Sequence, residues 1–328
     1  MDIGEKWFML ENVQNKIEGK TKRKRHIDKS RVFFMACVLT IPIINWFVFY
    51  LYVNFSSILM AFQRVDVSGA KERVYFTLEN FKMIWTEFFV NKGNDTLATN
   101  LLNTLLFYLS GTLIVFPVSL LMSYFIYKKI LGYRVFRFIA YLPQVMTSSA
   151  LVIIFRYCLI DGGPYNTLCN FFGIEYVYPL DKSPNAIICL LVYNVMFGFG
   201  GNLIIFGGAF TSVSPDVLEA AELDGCTWFQ ELVKVIIPMI WPTISTALIL
   251  GLAGILGSSG PVLPFTQGKY GTSTLAFRIY DLVANVSQRG RDLNLASAIG
   301  ITMTIMMFPI VMLVRFLLYG RKSEDEKI

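Results

Sequence analysis

The stretch Leu218 to Pro242, LEAAELDGCTWFQELVKVIIPMIWP, is a polar, helix-forming segment set between two long apolar runs. Pro215 suits the first turn of a helix, where the N–H it lacks has no partner anyway. Ser214 is placed to cap that helix, and Asp216 sits against its positive end. Gly225 follows Asp224, where a helix end commonly takes a left-handed residue. Thr227 with Gln230 three positions later spells a capping box for a second helix, expected to run to Pro238 and to kink or stop there. Ala220 and Ala221 leave part of the first helix nearly bare, so another protein's surface can approach its backbone. The segment reads as a helical knob.

The chain around the knob is built for a bilayer. Hydrophobic residues make up 55% of the 328 positions and charged residues only 16%, and apolar runs of spanning length recur throughout. A charge at the middle of a membrane helix costs about 2.5 to 3.5 kcal/mol, so charge-free intervals mark the spans. Six qualify: Val32 to Gln63, Thr96 to Tyr127, Phe138 to Phe155, Ser183 to Pro215, Val235 to Gly268 and Leu293 to Val314. Each supplies one helix with flanks, since about twenty residues cross the hydrocarbon. The third is short and is expected to extend through Arg156 toward Ile160. The expected fold is therefore an all-α integral membrane protein with six transmembrane helices.

Charge sets the expected orientation. The run Lys20, Lys22, Arg23, Lys24, Arg25, Lys29 and Arg31 precedes the first span, Lys128, Lys129, Arg134 and Arg137 lie between the second and third, and Arg315, Arg321 and Lys322 close the chain. The positive-inside rule places all three on the cytoplasmic side, and hence both termini. Residues 1–31 then form a basic cytoplasmic segment, 32–320 the transmembrane domain, and 321–328 a cytoplasmic tail. Trp7, Leu10, Val13 and Ile17 are spaced for a surface helix, with a loosely ordered tail the alternative. The first apolar run is too long for a signal-peptide h-region. The connection 64–95 balances five basic against five acidic residues and reads as external. Its Phe76, Phe81, Ile84, Trp85 and Phe88 fit a folded cap that meets either an external partner or its own protein.

The net charge of +6 follows from these membrane-flanking residues rather than from a nucleic-acid-binding face. The five cysteines, Cys37, Cys158, Cys169, Cys189 and Cys226, show no CxxC pairing; Cys158 and Cys169 flank one loop, either as a bridge or as free thiols. With His26 the single histidine, neither a nitrogen-ligated metal site nor a Ser–His–acid constellation is expected. The chain has no GxxxxGK[ST] phosphate loop, so ATP binding is not expected in it. It reads as non-catalytic, with no cofactor.

Glu219, Ala220, Ala221, Asp224, Gly225 and Pro238, at these spacings, resemble the EAA loop of the membrane permease subunits of binding-protein-dependent ABC importers. Cys226 stands where that family usually has Ala. Further features are similar to permeases: Thr77 to Phe81, Asn103-Thr104-Leu105, Tyr141-Leu142-Pro143, Gly163 through Gly173, and Thr266, Gly268, Thr274, Leu275 and Tyr280. Together they are most similar to the carbohydrate-uptake group, with Gly268-Lys269-Tyr270 where that group has a double glycine and proline. The resemblance implies a multi-pass subunit of the bacterial inner membrane, paired with a second permease and two ATP-binding subunits and served by an extracellular or periplasmic solute-binding protein. It also implies that the loop 214–238 couples to the ATPase and that transport follows alternating access.

Polar and aromatic residues inside the spans are candidates for the solute path, helix packing through small residues being the alternative. They are Tyr193, Asn194, Phe197 and Asn202 in the fourth span, with Gly198, Gly200 and Gly201, and Ser258 and Ser259 in the fifth. Amides and hydroxyls beside aromatic rings suit a sugar, and the lack of carboxylates in these spans argues against a cation. An importer of a non-sugar solute and a secondary transporter are the other readings. The second is opposed by the absence of an intramembrane ion relay and of a visible inverted repeat.

Overall fold

The computed structural model describes residues 29–66, 73–90, 93, 96–285 and 292–319, so the expectations for residues 1–28 and 320–328 lie outside the described residues. The chain divides into two units, residues 1–57 and 58–328. The first is described as one helix, α1 (Phe33–Ala61), whose last turn belongs to the second unit. It carries a π-helical stretch at Trp46–Tyr52, and none of its described side chains up to Ser57 is buried. A helix that is apolar all round is what lipid or another subunit would cover.

In the second unit, β1 (Gln63–Asp66) and β2 (Arg73–Phe76) pair antiparallel, Gln63 opposite Phe76 and Asp66 opposite Arg73. Helix α2 (Glu79–Phe89) follows. Its Asn80 is fully buried and donates to the carbonyls of Ala61 and Gln63, both at 2.9 Å, which fixes where the first span ends. The cap residues divide: Phe81, Ile84 and Phe88 pack into the unit, while Phe76 and Trp85 are exposed.

Helix α3 (Leu97–Tyr127) is capped by Thr96, whose Oγ1 accepts from Thr99 N. Then come α4 (Tyr133–Val145), α5 (Ser148–Leu159), α6 (Pro164–Phe171), α7 (Asn185–Thr211), α8 (Pro215–Leu223), α9 (Trp228–Met239), α10 (Trp241–Ala253), α11 (Val262–Phe265), α12 (Leu275–Ala284) and α13 (Leu293–Tyr319). Four helices, α1, α3, α7 and α13, are long and apolar enough to cross a membrane singly, and two bent pairs bring the number to six among the described residues.

The bend beside Pro238 is the one expected there, whereas the break within the third span departs from the single helix expected. Between Tyr133–Val145 and Ser148–Phe171 the axis turns by 105°. Pro143 removes an N–H there, Met146 and Thr147 are extended, and Thr147 Oγ1 caps the new helix by accepting from Ala150 N. Between Trp228–Met239 and Trp241–Ala253 the turn is 73°, flanked by Pro238 and Pro242. After α10 the chain does not continue as a helix to Gly268. It passes a 3-10 turn, Ile255–Gly257, and the short α11.

Three apolar layers form the core. One joins Ala61, Ile84, Leu97, Leu275 and Ile299 where the cap meets α3, α12 and α13. A second is aromatic, with Phe155, Tyr193, Phe265 and Phe277. A third joins Leu120, Phe206, Phe210, Leu218, Leu232 and Ile236 beneath the knob. Polar stitches cross these layers where water is excluded and an unpaired backbone group is costly. Asn103 Nδ2 donates to Gly271 O and Ser273 O, both at 2.8 Å, and Thr104 Oγ1 accepts from Leu275 N at 3.0 Å. Gly268 adopts φ +74°, and a Cβ there would lie 2.3 Å from the Phe277 ring, so only glycine fits.

Candidate functional site

The knob is a helical hairpin, α8 and the start of α9, and its local chemistry follows the sequence closely. Thr227 Oγ1 accepts from Gln230 N while Gln230 Oε1 accepts from Thr227 N, closing the capping box. Gly225 has φ +74° with no atom near an added Cβ, so the backbone sign alone calls for glycine. Ser214 differs from expectation. Its side chain makes no cap hydrogen bond and instead reaches Asp216 Oδ2 at 3.5 Å, leaving Pro215 and Asp216 to start α8.

The two alanines separate. Ala221 is buried against the protein, whereas Ala220 and Glu219 face outward. Leu223 is 90% exposed at the tip, with Trp228 and Phe229 more than half exposed beside it. Asp224 is the exposed C-cap of α8, and Pro238 is exposed at the bend where α9 ends. The exposed surface of the hairpin therefore combines the apolar Leu223, Trp228 and Phe229 with the acids Glu219, Glu222 and Asp224.

The back of the hairpin is fastened by a residue that sequence reasoning did not single out. Lys128, just past the end of α3, places Nζ 2.8 Å from Glu222 Oε1 on α8 and 2.9 Å from Glu231 Oε1 on α9. Glu231 is buried, and Tyr124 Oη donates to Trp228 O one turn further back on α3. Burial, the largest single influence on Lys128, works against its charge, but the hydrogen bonds and charges of the two carboxylates outweigh it and hold the ammonium above its ordinary range. The hydrogen bond from Lys128, and then its charge, hold the Glu222 carboxyl below the ordinary value. One cation thus ties both arms of the hairpin to the end of α3. No short-range signal marks it, because Glu222 lies 94 residues away in sequence.

Helices α4, α5 and α7 with the chain around α11 line one cavity, and the same α3 with α7 and α10 lines a second. The larger, about 560 Å³, is lined by Tyr193, Asn194, Phe197 and Ser259 together with Gln144 and Gly198. The smaller, about 220 Å³, is lined by Asn194, Gly198 and Asn202 with Tyr108 and Thr112. Asn194 and Gly198 are common to both. Of the candidate path residues, Ser258 borders neither. Asn194 Nδ2 donates to Ser110 Oγ at 3.2 Å. Tyr193 and Phe197 pack against Phe155, and Tyr193 also meets Phe265 edge-on, so the Tyr193 ring floors the larger cavity from within the aromatic layer. Gln144 went unnoticed in the sequence because it sits in an apolar run beside Pro143; its side chain lies against Gly200, where a Cβ would be 2.6 Å from Oε1. All five cysteines are free thiols, Cys158 and Cys169 included.

Broken membrane spans around a polar-lined cavity, with a helical hairpin fastened to the end of a cavity-lining helix, define a membrane permease subunit. The chain belongs to the family of binding-protein-dependent transport system inner membrane components, whose model matches residues 115–320. It is 24% identical to the arabinooligosaccharide transport permease AraP of Halalkalibacterium halodurans, over 87% of each chain. It is 27% identical to the polygalacturonan/rhamnogalacturonan transport permease YteP of Bacillus subtilis, over 72% of this chain and 73% of that one. Its fold is similar to a chain in the crystal structure of a bacterial ABC transporter that imports the acidic polysaccharide alginate. The TM-score is 0.71 at 21% identity, covering 89% of this chain and 96% of that one. The chain is thus a multi-pass membrane protein of the permease type.

Proposed function

We propose that this chain forms part of the transport path of an ATP-driven importer for a sugar or short oligosaccharide in a bacterial inner membrane. It pairs with a second permease and with two ATP-binding subunits, and a solute-binding protein outside the membrane delivers the cargo. The observation that carries this reading is the hairpin, which exposes Ala220, Leu223, Trp228 and Phe229 among the acids Glu219 and Asp224 while Lys128 fastens its back to α3. A push on that face from an ATPase closing on ATP moves α3, which lines the smaller cavity. Hydrolysis resides on the ATPase partner, and this chain converts its closure into exposure of the cavities to one side or the other.

The substrate class rests on the cavity walls and on the oligosaccharide and polysaccharide transport of the relatives. Asn194, Asn202, Ser259 and Gln144 offer amides and a hydroxyl beside Tyr193 and Phe197, a combination that takes the hydroxyls and the apolar face of a pyranose. The test is a thermal-shift screen of the partner binding protein with neutral and acidic oligosaccharides, peptides and metal ions. Stabilisation by an oligosaccharide is expected. Stabilisation by a peptide or metal alone would contradict the assignment.

A further inference from the structure

A third cavity of the second unit belongs to neither the hairpin face nor the solute path. It has a volume of about 660 Å³, lies between the end of α3, the start of α4 and the end of α7, and shares no residue with the two Asn194 cavities. On α4 its wall is Tyr133, Arg137 and Tyr141, spaced four residues apart on one face. On α7 the facing wall is Ile204, Gly207, Gly208 and Thr211. Lys129 closes the end nearest the hairpin.

Charge and depth together identify the occupant. Two cations and no carboxylate line the cavity, and among the described residues neither Lys129 nor Arg137 has an acidic partner within 4.0 Å. The contrast with the adjacent Lys128, held by two glutamates, is direct. Lys129 sits exposed just beyond the end of the α3 span, at headgroup level, and Arg137 lies one turn inside α4 with its guanidinium 5.8 Å from the Tyr141 ring centroid. Below them the walls are mostly apolar side chain or bare glycine backbone, with Ser123 and Tyr141 the uncharged polar residues. A Cβ at Gly208 would meet nothing within 4 Å, and one at Gly207 would meet only the Tyr141 hydroxyl, at 3.7 Å. Cationic at the membrane edge and apolar toward its middle, the cavity has the polarity of one lipid molecule.

We propose that this cavity holds an anionic phospholipid of the leaflet on the hairpin's side, its phosphate between Lys129 and Arg137 and its acyl chain along Ile204, Gly207 and Gly208. Basic pockets between membrane helices take acidic headgroups in this way, each cation near the surface being worth about fivefold in affinity. Arg137 offers the planar fork that suits a phosphate, and Lys129 a point charge. Because Lys129 follows Lys128, the bound lipid braces α3 beside the hairpin's anchor.

The test is native mass spectrometry of the full chain from detergent micelles titrated with phosphatidylglycerol or with phosphatidylcholine of the same acyl length. The wild-type chain is expected to retain one phosphatidylglycerol and to release phosphatidylcholine. Lys129→Gln with Arg137→Gln should weaken that retention about thirtyfold, and Lys129→Gln alone, at an exposed turn, about fivefold. Gly208→Leu fills the groove without touching a charge and should abolish retention, while circular dichroism and melting temperature stay those of wild type. Equal retention of the two lipids, or unchanged phosphatidylglycerol retention in the charge variants, would overturn the proposal. Displacement by millimolar inorganic phosphate would reduce the site to an ion site. Loss of the lipid from the complex with a second permease subunit would assign the cavity to a subunit interface. Either result would also refute the proposal.

Discussion

At the scale of single residues the hairpin depends on Lys128, a cation shared by an exposed and a buried carboxylate. Lys128→Met leaves Glu231 buried without a counter-charge, and breaking a buried pair in this way costs about 3 to 5 kcal/mol. Adding Glu231→Leu removes the stranded carboxylate, so the double variant should melt above the single one, as differential scanning fluorimetry in detergent can record. The pH response follows from the two displaced titrations. Glu222 titrates below its ordinary 4.5 in the folded chain, so its contribution is full above that value and lost as pH falls through the lower folded one. Lys128 titrates above its ordinary 10.5, so its contribution is full below that value and lost only as pH rises through the higher folded one. Hairpin stability measured from pH 6 to 9 should therefore be flat, and an inflection within that window would show that another group controls the anchor. Lys128 was legible in the sequence only as one basic residue among several at a span end; its role comes from glutamates remote in the chain and adjacent in the fold.

At the scale of elements, what was legible was local. The capping box of Thr227 and Gln230 and the left-handed Gly225 depend on neighbours within four positions, and both stand as expected. Gly225→Val forces a β-branched residue into φ > 0, a strain of about 1 to 3 kcal/mol. The helices should survive, the angle between α8 and α9 should not, and stimulation of ATP hydrolysis by loaded binding protein should fall while Gly225→Asn, which tolerates that region, retains most of it. The break beside Pro238 was legible from that proline, but the one in the third span was not legible from hydropathy, which counts apolar residues and ignores direction. Its signal was present as Pro143 followed by the cap Thr147, but a proline within a membrane helix can equally leave it merely kinked. The cavities were legible as residues and not as groupings. Asn194 and Asn202 were visible in one span, yet Asn194 shares the larger cavity with Ser259 and Gln144 only because α4 and the chain after α10 fold back toward α7.

At the scale of the whole molecule, we propose that each bent pair crosses once, so that six spans put both ends of the chain on one side, and that the basic residues at the span ends make that side the cytoplasm. A reporter active only outside the cell, fused after Ile328, should stay silent; full signal would refute the orientation. Reconstituted alone in liposomes the chain should not move solute, since the driving closure belongs to the ATPase, and uptake without ATP would favour a carrier. The central claim is that the outward face of the hairpin receives that closure, and it is tested most directly by co-purification with the ATPase. Ala220 faces outward and lies outside the spans, so Ala220→Glu should leave the fold intact and, on the proposed coupling, put an unpaired charge between two protein surfaces. ATPase recovered with the Ala220→Glu permease, at equal expression and equal melting temperature, should fall on the order of a hundredfold in affinity relative to wild type. Wild-type recovery together with a wild-type transport rate would contradict the coupling role of this hairpin.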